Sequence, residues 1–556
     1  NNIPSLYTVD NAGLYTKEIP FFTNTHIFKA DPIVIEKLKE QKKLLKSDKL
    51  NHSYPHSWRS KAPLIYRATP QWFISMKKND LRNKAIKAIN ETIFYPDKGK
   101  ERLLSMVEGR PDWCVSRQRV WGVPLPIFIN KKTKEPLRDI KVIERIASIY
   151  EKQGSDCWFT DDPKIFLGEE YDPDEYQKLN DIVEVWFDSG STHSFVLEKR
   201  EDLKWPADMY LEGSDQHRGW FHSSLLESCG TRGKAPFKSI LSHGFVVDGK
   251  GMKMSKSMGN VISPDDILKN YGADILRVWV ASSDYAEDLR LDKSILTQHA
   301  ESYRKIRNTF RFMLGNLKDN FEQQNFEKLN INQFDELEQF ILHKIYLLSK
   351  SVENNLRNYN FHKLYKELLN FCTLDLSSFY FDIRKDVLYC DSIKSKKRKN
   401  CVVILNILLE SLLKWFAPIL VFTTDEVYSL INKGDKNIHE HSFVKVPKTW
   451  ENKELNEKWD QLFKIKQEAN IAIEEKRSSK EIGSSLEASI KLKVDQKKYN
   501  LLKNLDLAEY LITSNAEIEL SNKEKIEIDV NKAKGNKCPR CWKILESECI
   551  RCSDLI

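Results

Sequence analysis

The stretch from Asp208 to Val247 most constrains the fold, because it predicts a strand, a helix and a second strand in succession. Its first four residues, Asp208 to Leu211, include the apolar run Met209-Tyr210-Leu211, which is typical of a strand. Apolar residues then recur every four positions, as on one face of a helix: Phe221, Leu225 and Cys229. A further strand is predicted from about Ile240. This order indicates a parallel, doubly wound sheet, in which ligands bind beyond the carboxyl ends of the strands.

Polar residues follow the predicted strands at that edge. Glu212, Asp215 and Gln216 come directly after the strand that ends at Leu211. Another buried strand, ending in a turn, is predicted within Asp181–Ser191. We therefore expect the three polar side chains to lie at the rim of the sheet, where a ligand would bind.

The run Gly251–Asn260, called the lysine loop below, follows the last of these strands. It holds two lysines and two serines between glycines. Glycine allows the backbone to approach a ligand closely, and lysine supplies a compact positive charge on a flexible stem. Such a loop suits the binding of a polyphosphate. The alternative is a solvated basic turn.

The character of the sequence changes to helix from about Thr297. Tyr303, Ile306, Phe310 and Met313 are spaced by three or four residues and predict one apolar helix face. The helical pattern persists to about Phe416. Within it, five basic residues predict a loop between helices, either solvated or in contact with RNA: Lys394, Lys396, Lys397, Arg398 and Lys399.

A helix is predicted earlier, at Ser263-Pro264-Asp265-Asp266, where a capping serine, a proline and an acid mark a helix start. Near the C-terminus a charged helix is predicted over about Glu451–Lys480, followed by a strand at Ala488–Val494.

Four of the ten cysteines form two Cys-x-x-Cys turns near the C-terminus: Cys538, Cys541, Cys549 and Cys552. Two such turns suit tetrahedral Zn²⁺, because each presents two sulfurs to one centre. A structural site with four protein ligands is favoured over free thiols or a redox pair. Ten cysteines in 556 residues do not indicate a disulfide scaffold, so a reducing cytoplasm is expected.

The composition is that of a globular protein with several domains. Hydrophobic residues make up 41%, and 88 basic against 80 acidic residues give a net charge of +8. This mild excess is compatible with a nucleic-acid partner. No run of about 18 apolar residues occurs, so no membrane partner is expected.

Two motifs carry a family resemblance. Lys253–Ser257 reads Lys-Met-Ser-Lys-Ser, and Ser116–Gly122 reads Ser-Arg-Gln-Arg-Val-Trp-Gly. With them, the whole chain resembles the class I aminoacyl-tRNA synthetases. The four-cysteine tail resembles the isoleucine branch of that class rather than the valine branch. Arg117 and Arg119 are then either phosphate or tRNA contacts, or members of structural ion pairs.

The resemblance implies a multidomain α/β and α fold. The expected parts are a remnant of a β-rich editing domain at 1–76, part of a Rossmann-like catalytic domain at 77–292, a helical anticodon-binding domain at 293–452, an α+β junction domain at 453–535 and a zinc module at 536–556.

The resemblance also implies a function. It is the activation of L-isoleucine with ATP, accompanied by Mg²⁺, and transfer of the isoleucyl group to the 3′ end of tRNA(Ile), by a cytoplasmic monomer. The alternatives are a non-catalytic tRNA-binding module and a valine–tRNA ligase.

The resemblance also implies roles for individual residues, according to their positions in the matching motifs. Lys253 and Lys256 would stabilise charge on ATP during activation. Other residues would bind ATP: Met254, Ser255, His243, Asp215 and Gln216. The aminoacyl-adenylate would be held by Glu212, Gly213, Trp186 and Trp220, the two tryptophans flanking the isoleucine side chain.

Two features of the family are not found. None of the 12 histidines stands in a His-Ile-Gly-His type motif, and no threonine-rich editing stretch occurs. We therefore expect a C-terminal portion of a longer enzyme that is not active alone. His52 and His56, separated by Pro55, are not expected to bind a metal.

Overall fold

The computed structural model describes residues 6–57, 60–317, 321–432, 434 and 437–553. The chain forms two compact units, 1–241 and 242–556, which are described separately. Among the described helices, none combines the length and apolar character needed to cross a membrane.

The first unit contains short strands and mostly short helices. Its strands are β1 Phe73–Ile74, β2 Ile93–Tyr95, β3 Trp113–Cys114, β4 Ser116–Arg117, β5 Phe128–Asn130, β6 Tyr176–Lys178, β7 Ile182–Val183, β8 Tyr210–Gly213 and β9 Ser239–His243, the last ending beyond the unit boundary. Its helices are α1 Ala30–Glu40, α2 Leu81–Glu91, α3 Lys98–Glu108, α4 Ile140–Gln153, α5 Cys157–Thr160, α6 Pro163–Leu167, α7 Val185–Gly190 and α8 Trp220–Arg232.

The parallel sheet predicted from the sequence is confirmed, in the order β2-β9-β8. Strands β2 and β9 are parallel, and Ala207 and Phe237, just before β8 and β9, form a parallel bridge. The predicted helix face is also confirmed, since Phe221, Leu225 and Cys229 of α8 are fully buried against this sheet. The strand–helix–strand order therefore predicted this part of the fold correctly.

Two predicted strands are shorter than expected. Within Asp181–Ser191 only Ile182–Val183 is a strand, and helix α7 begins at Val185. The strand ends there because the Glu184 carbonyl oxygen accepts the first helical bond, from the Phe187 N–H. The Glu184 carboxylate accepts from Trp113 and Arg117.

The strand predicted from Ile240 to Val247 is divided in two at Gly244. Here the backbone approaches another segment so closely that a Cβ would lie 2.3 Å from the Glu287 carbonyl oxygen. Only glycine permits this approach, and pairing resumes at Val246.

The β-rich character predicted for residues 1–76 is not found among the described residues 6–57 and 60–76. They contain helix α1 and a strand of only two residues. His56 forms an isolated bridge with Pro63, and its Nδ1 lies 2.7 Å from the Tyr54 carbonyl oxygen.

The second unit is mainly helical. Its helices are α9 Pro264–Tyr271, α10 Ala273–Ser282, α11 Lys293–Leu317, α12 Glu336–Arg357, α13 Phe361–Asn370, α14 Phe381–Cys390, α15 Lys396–Phe416, α16 Val421–Ile431, α17 Lys453–Ser478, α18 Gln496–Leu502, α19 Leu507–Tyr510 and α20 Ile550–Ser553. Its strands are β10 Val246–Asp248, β11 Leu289–Leu291, β12 Ala488–Val494, β13 Asn515–Leu520, β14 Glu527–Lys532, β15 Asn536–Lys537 and β16 Ile544–Leu545.

The predicted helix signals are confirmed here. Ser263 caps α9 by accepting a hydrogen bond from the Asp265 N–H, and Pro264 begins the helix. On α11, Ile306, Phe310 and Met313 are fully buried, with Tyr303 packed beside them. Strand β12 has the predicted bounds, and it is central in the sheet β13-β12-β14.

Most of the basic run Lys394–Lys399 is helical, contrary to the loop predicted from the sequence, and only Lys394 lies in a turn before the helix. Helix α15 begins at Lys396, and Ser395 caps it by accepting from the Arg398 N–H. Lys397 forms an ion pair with Glu509, and Arg398 donates to the Asp391 carbonyl oxygen. The helix therefore begins inside the basic run at a capped start, and two of its charged side chains contact neighbouring groups.

Candidate functional site

In the first unit, the predicted polar residues lie at the carboxyl end of β8. Glu212 is exposed, and its carboxylate accepts a hydrogen bond of 3.2 Å from the Gly213 N–H. A 3-10 turn, Ser214–His217, then carries Asp215 and Gln216. Gln216 donates to the Asp215 carboxylate at 3.1 Å. The sheet therefore presents carboxylates and an amide at the edge where parallel sheets bind ligands.

Two tryptophans adjoin these polar groups around Gly219. A Cβ on Gly219 would lie 2.8 Å from the Trp186 ring and 2.5 Å from Gln216 Oε1, so no larger residue fits there. The Trp220 N–H donates to Gln216 Oε1 at 3.0 Å. Its ring stacks on Tyr210 with centroids 4.0 Å apart. The structure thus brings together Trp186, Gln216 and Trp220.

The Trp220 indole also connects two helices. Its Nε1–H donates to the Ser189 carbonyl oxygen of α7 at 3.0 Å. Trp186 lies on α7 and is 40% exposed, whereas Trp220 is half-buried. An apolar surface beside a carboxylate edge can bind a small molecule with an apolar side chain and an ammonium group.

Beneath the tryptophans lies a group of acids that the sequence reasoning missed. Glu184 accepts from the Trp113 indole at 2.8 Å and from Arg117 at 3.2 Å. Arg117 is therefore in a structural ion pair, one of the two alternatives that the sequence left open. Glu227 on α8 packs against Gly190, where a Cβ would lie 2.2 Å from its Oε1. Burial first, and then the charges of Asp188 and Glu184, raise the pKa of Glu227 to about 9.

This carboxyl group predicts a pH-dependent stability. The pKa of Glu227 is raised in the folded state from an ordinary value of 4.5, so its contribution to stability is complete below about pH 4.5 and is lost as the pH rises towards 9. The loss amounts to about 1.4 kcal/mol per pH unit. Glu227→Gln is neutral at every pH, and we expect it to be more stable than wild type at about pH 8 and nearly equal at about pH 5.

Urea unfolding followed at both pH values measures this difference. The matched control is Glu201→Gln. Glu201 is exposed, so its replacement should leave the change of the free energy of unfolding with pH as in wild type. If the free energy of unfolding changed equally with pH in Glu227→Gln and in wild type, the burial of a protonated carboxyl group at this position would be contradicted.

In the second unit, the lysine loop is folded around Asp248, a residue that the sequence reasoning did not single out. The Asp248 carboxylate accepts from the N–H groups of Lys250 at 3.0 Å and Met252 at 2.8 Å, and from the Asn260 side chain at 2.9 Å. The Asn260 amide, followed by the Met252 N–H, lowers the pKa of Asp248. An Asp-Gly pair directly after a predicted strand was the available signal for this turn.

Asn260 closes the other end of the loop. Its Oδ1 accepts from the Ser255 N–H at 2.9 Å, and its Nδ2 donates to the Lys253 carbonyl oxygen at 3.2 Å. Met254 packs on a hydrophobic cluster formed by α9, α10, β11 and the start of α11. The backbone of the loop is therefore held in place at its base.

The side chains of the two lysines in the loop are exposed to solvent. Lys253 and Lys256 are exposed, and among the residues that the structure describes neither forms an ion pair with an acid. Ser255 and Ser257 lie beside them with their Oγ atoms 3.2 Å apart. Two free ammonium groups on a folded loop can bind an anion with several phosphates.

His243 ends β9 and is half-buried. Its Nδ1 lies 2.8 Å from the Gly244 carbonyl oxygen, which can only accept, so Nδ1 carries the proton. In the neutral ring, Nε2 is then the acceptor.

The four C-terminal cysteines form a cluster. Their Sγ atoms all lie within 4.8 Å of one another, and those of Cys541 and Cys549 are 3.8 Å apart. Tetrahedral zinc with bonds of about 2.3 Å separates its sulfurs by about 3.8 Å, so the donor set fits. Burial opposes ionisation of Cys538, but the N–H groups of Cys541 and Arg540 lower the pKa of its thiol to about 7.

The cysteine cluster is attached to α14. Arg551, between two of the cysteines, pairs with Asp386 and Asp391. Arg540 donates to the Tyr389 carbonyl oxygen at 3.1 Å. Cys390 is packed beside the cluster, with its Sγ 3.8 Å from the Arg540 carbonyl oxygen.

Comparison with known families gives two matches. The family described as tRNA synthetases class I (I, L, M and V) matches residues 14–292. The anticodon-binding domain of tRNA ligase matches residues 338–492. Together they include both the lysine loop and the helical core.

Two curated proteins are similar along the whole chain. The isoleucine–tRNA ligase of Pelagibacter ubique is 66% identical over 552 residues, which are 99% of this chain and 61% of that protein. The isoleucine–tRNA ligase of Gluconobacter oxydans is 44% identical over 577 residues, covering 100% of this chain and 60% of that protein. The chain therefore spans about three fifths of the length of these relatives.

Among solved structures, the methionyl-tRNA synthetase of Mycobacterium tuberculosis in complex with methionyl-adenylate is 16% identical with a TM-score of 0.49, covering 68% of this chain and 66% of that chain.

Proposed function

Because the chain belongs to the class I tRNA synthetases of the isoleucine, leucine, methionine and valine group, we propose that it works in an isoleucine–tRNA ligase. The observation that carries this proposal is the lysine loop, where two exposed ammonium groups, without an acidic partner among the described residues, project from a backbone fixed by Asp248 and Asn260. The reaction is activation of L-isoleucine by ATP and transfer of the isoleucyl group to tRNA(Ile).

Neither step needs a protein nucleophile. In the first, a carboxylate oxygen of isoleucine attacks the α-phosphorus of ATP, and the bond to pyrophosphate breaks. In the second, a ribose hydroxyl at the 3′ end of the tRNA attacks the carbonyl carbon, and AMP leaves. The protein therefore acts by positioning and by stabilising charge. Mg²⁺ accompanies ATP and neutralises part of the triphosphate charge.

Each site residue has a role in this scheme. Lys256, assisted by Lys253, stabilises the charge that develops on the leaving pyrophosphate. Glu212 binds the ammonium group of isoleucine or its adenylate, beside Gly213. The remaining contacts are apolar walls for the side chain from Trp186 and Trp220, ribose contacts from Asp215 and Gln216, and nucleotide contacts from His243, Met254 and Ser255.

The C-terminal cysteines have a structural role in this proposal. One Zn²⁺ would be held by Cys538, Cys541, Cys549 and Cys552, all four positions being filled by protein sulfur. Such a site supplies folding energy to a short segment and leaves no position for a reacting water.

The proposal is tested by isoleucine-dependent pyrophosphate exchange with the full-length protein. We expect isoleucine to support exchange and valine to support it more weakly. One methylene is worth about 1–3 kcal/mol in an apolar pocket, a limit for which isoleucine against valine is itself the usual example. Equal or better exchange with valine would assign the protein to the valine branch. Binding of tRNA without exchange for any amino acid would support a non-catalytic tRNA-binding module instead.

A further inference from the structure

Helix α10 contacts both the support of the lysine loop and the core of the helical domain. Ile275 and Trp279 belong to the hydrophobic cluster on which Met254 of the loop packs. Val278, on another face of the same helix, is fully buried in the large core formed by α11 to α17. A displacement of α10 would therefore move side chains on which Met254 packs.

Two charged residues of α10 bind the turn between α15 and α16. Asp274 is buried, and its carboxylate accepts from the first N–H groups of α16, at 2.7 Å from Thr423 and 3.3 Å from Phe422. Arg277 donates to the carbonyl oxygens that follow α15, at 2.6 Å to Pro418 and 2.9 Å to Ile419. The first N–H groups of a helix have no intrahelical partner, so the Asp274 carboxylate satisfies the start of α16, while Arg277 satisfies carbonyl oxygens of the turn just after α15.

A chain of hydrogen bonds extends from Asp274 into the helical domain. The Thr423 hydroxyl donates to the Asp274 carboxylate at 2.5 Å, so its oxygen is free to accept from the Tyr303 hydroxyl at 2.8 Å. The Tyr303 oxygen in turn accepts from Arg307 at 3.1 Å. Arg307 also pairs with Glu426 on α16. All donors point the same way, towards the buried carboxylate, which strengthens each bond of the series.

We propose that Asp274, Thr423 and Tyr303 are positioning residues for the lysine loop. They fix α10 against α11 and α16. Residues of α10 in turn form part of the hydrophobic cluster on which Met254 packs, and this packing restrains the middle of the loop. None of the three touches the loop lysines in this scheme. The helical domain thereby determines how well Lys253 and Lys256 are presented. The catalytic consequence rests on the proposed ligase function, whereas the effect on the loop does not.

Amide hydrogen exchange in the 556-residue chain tests the inference directly. Thr423→Val removes the hydroxyl that both donates and accepts, and Tyr303→Phe removes the next one. We expect each variant to increase exchange of the Ser255 and Met252 amides, which bond to Asn260 and Asp248, by about tenfold. Thr423→Ser keeps a hydroxyl and should restore the wild-type rate.

The matched control is Thr424→Val. Thr424 is the next residue of the same helix and is fully buried. Among the described residues its hydroxyl donates only to backbone carbonyl oxygens, at 2.8 Å to Leu420 and 3.4 Å to Val421. We expect it to increase exchange within α16 and leave the loop amides unchanged. Faster exchange in α16 alone for Thr423→Val would overturn the inference, because capping would then be the whole role of the threonine.

A double variant tests the route through Met254. Met254→Ala removes the packing of the loop on the hydrophobic cluster, so adding Thr423→Val should cause no further increase in exchange of the Ser255 amide. Additive effects would mean that the two sites act independently.

In the full-length ligase, Thr423→Val should lower kcat for isoleucine-dependent pyrophosphate exchange by about five- to tenfold, with the KM for isoleucine unchanged. If the wild-type protein shows no isoleucine-dependent exchange, the proposed function fails, while the amide exchange results still decide the positioning role.

Discussion

Lys256→Ala is expected to lower kcat for isoleucine-dependent pyrophosphate exchange by about 10²–10³-fold in the full-length protein, with little change in the KM for isoleucine. The reason is that Lys256 is exposed and unpaired among the described acids, so its charge is available to the leaving pyrophosphate. An interaction made mainly as charge develops affects the rate more than the binding of the amino acid.

The control for this prediction is Lys269→Ala. Lys269 is exposed on α9, so the change removes the same charge outside the loop and should leave kcat within about twofold. If Lys256→Ala raised the KM for isoleucine and left kcat unchanged, the lysine would contribute to ground-state binding and not to charge stabilisation.

Cys552→Ser is expected to remove stoichiometric zinc and unfold the segment from Cys538 to Ser553. Structural zinc contributes about 10–16 kcal/mol to the folding of small zinc peptides, far more than so short a segment gains from its own core. Zinc content by atomic absorption and amide exchange of this segment measure the effect. Treatment of the wild type with a strong chelator should give the same exchange pattern.

The matched control is Cys390→Ser. Cys390 is buried beside the cluster but lies outside the four sulfurs that approach within 4.8 Å of one another. We expect this variant to retain one zinc per chain. Retention of zinc by Cys552→Ser, or its loss from Cys390→Ser, would change the assigned ligand set.

The four-cysteine segment from Cys538 to Ser553 should also affect α14. Arg551 lies between Cys549 and Cys552 and pairs with Asp386 and Asp391, so unfolding of the segment removes both ion pairs. Increased amide exchange at the end of α14 is therefore expected to accompany zinc loss.

Local signals predicted several elements well. The bounds of β12 follow from alternating apolar residues, and the start of α9 follows from a capping serine and a proline, because both depend on residues close in sequence. The cysteine cluster was predictable for the same reason, since each pair of cysteines lies within one Cys-x-x-Cys turn.

Other features depend on partners that are far apart in sequence. Lys397 pairs with Glu509, 112 positions away, so this contact of the basic run could not be predicted, although the capping Ser395 at the start of α15 is a local signal. The bond between Asp274 and Thr423 joins residues 149 positions apart, and no local pattern marks it. The raised pKa of Glu227 likewise follows from burial against α7, which the sequence-based prediction placed in a strand and a turn.

A π-helical stretch determines how helix α14 is rotated about its own axis. Between α13 and α14 the chain is π-helical over Phe371–Tyr380, so the helix is wound more loosely there than an α-helix. Residues after this stretch are rotated relative to an uninterrupted α-helix. That rotation places Arg384 inside, bonded to Glu338, and places Asp386 beside Arg551. Deleting a single residue from the π-helical stretch would turn α14 by about 100° about its axis, which would separate both ion pairs at once.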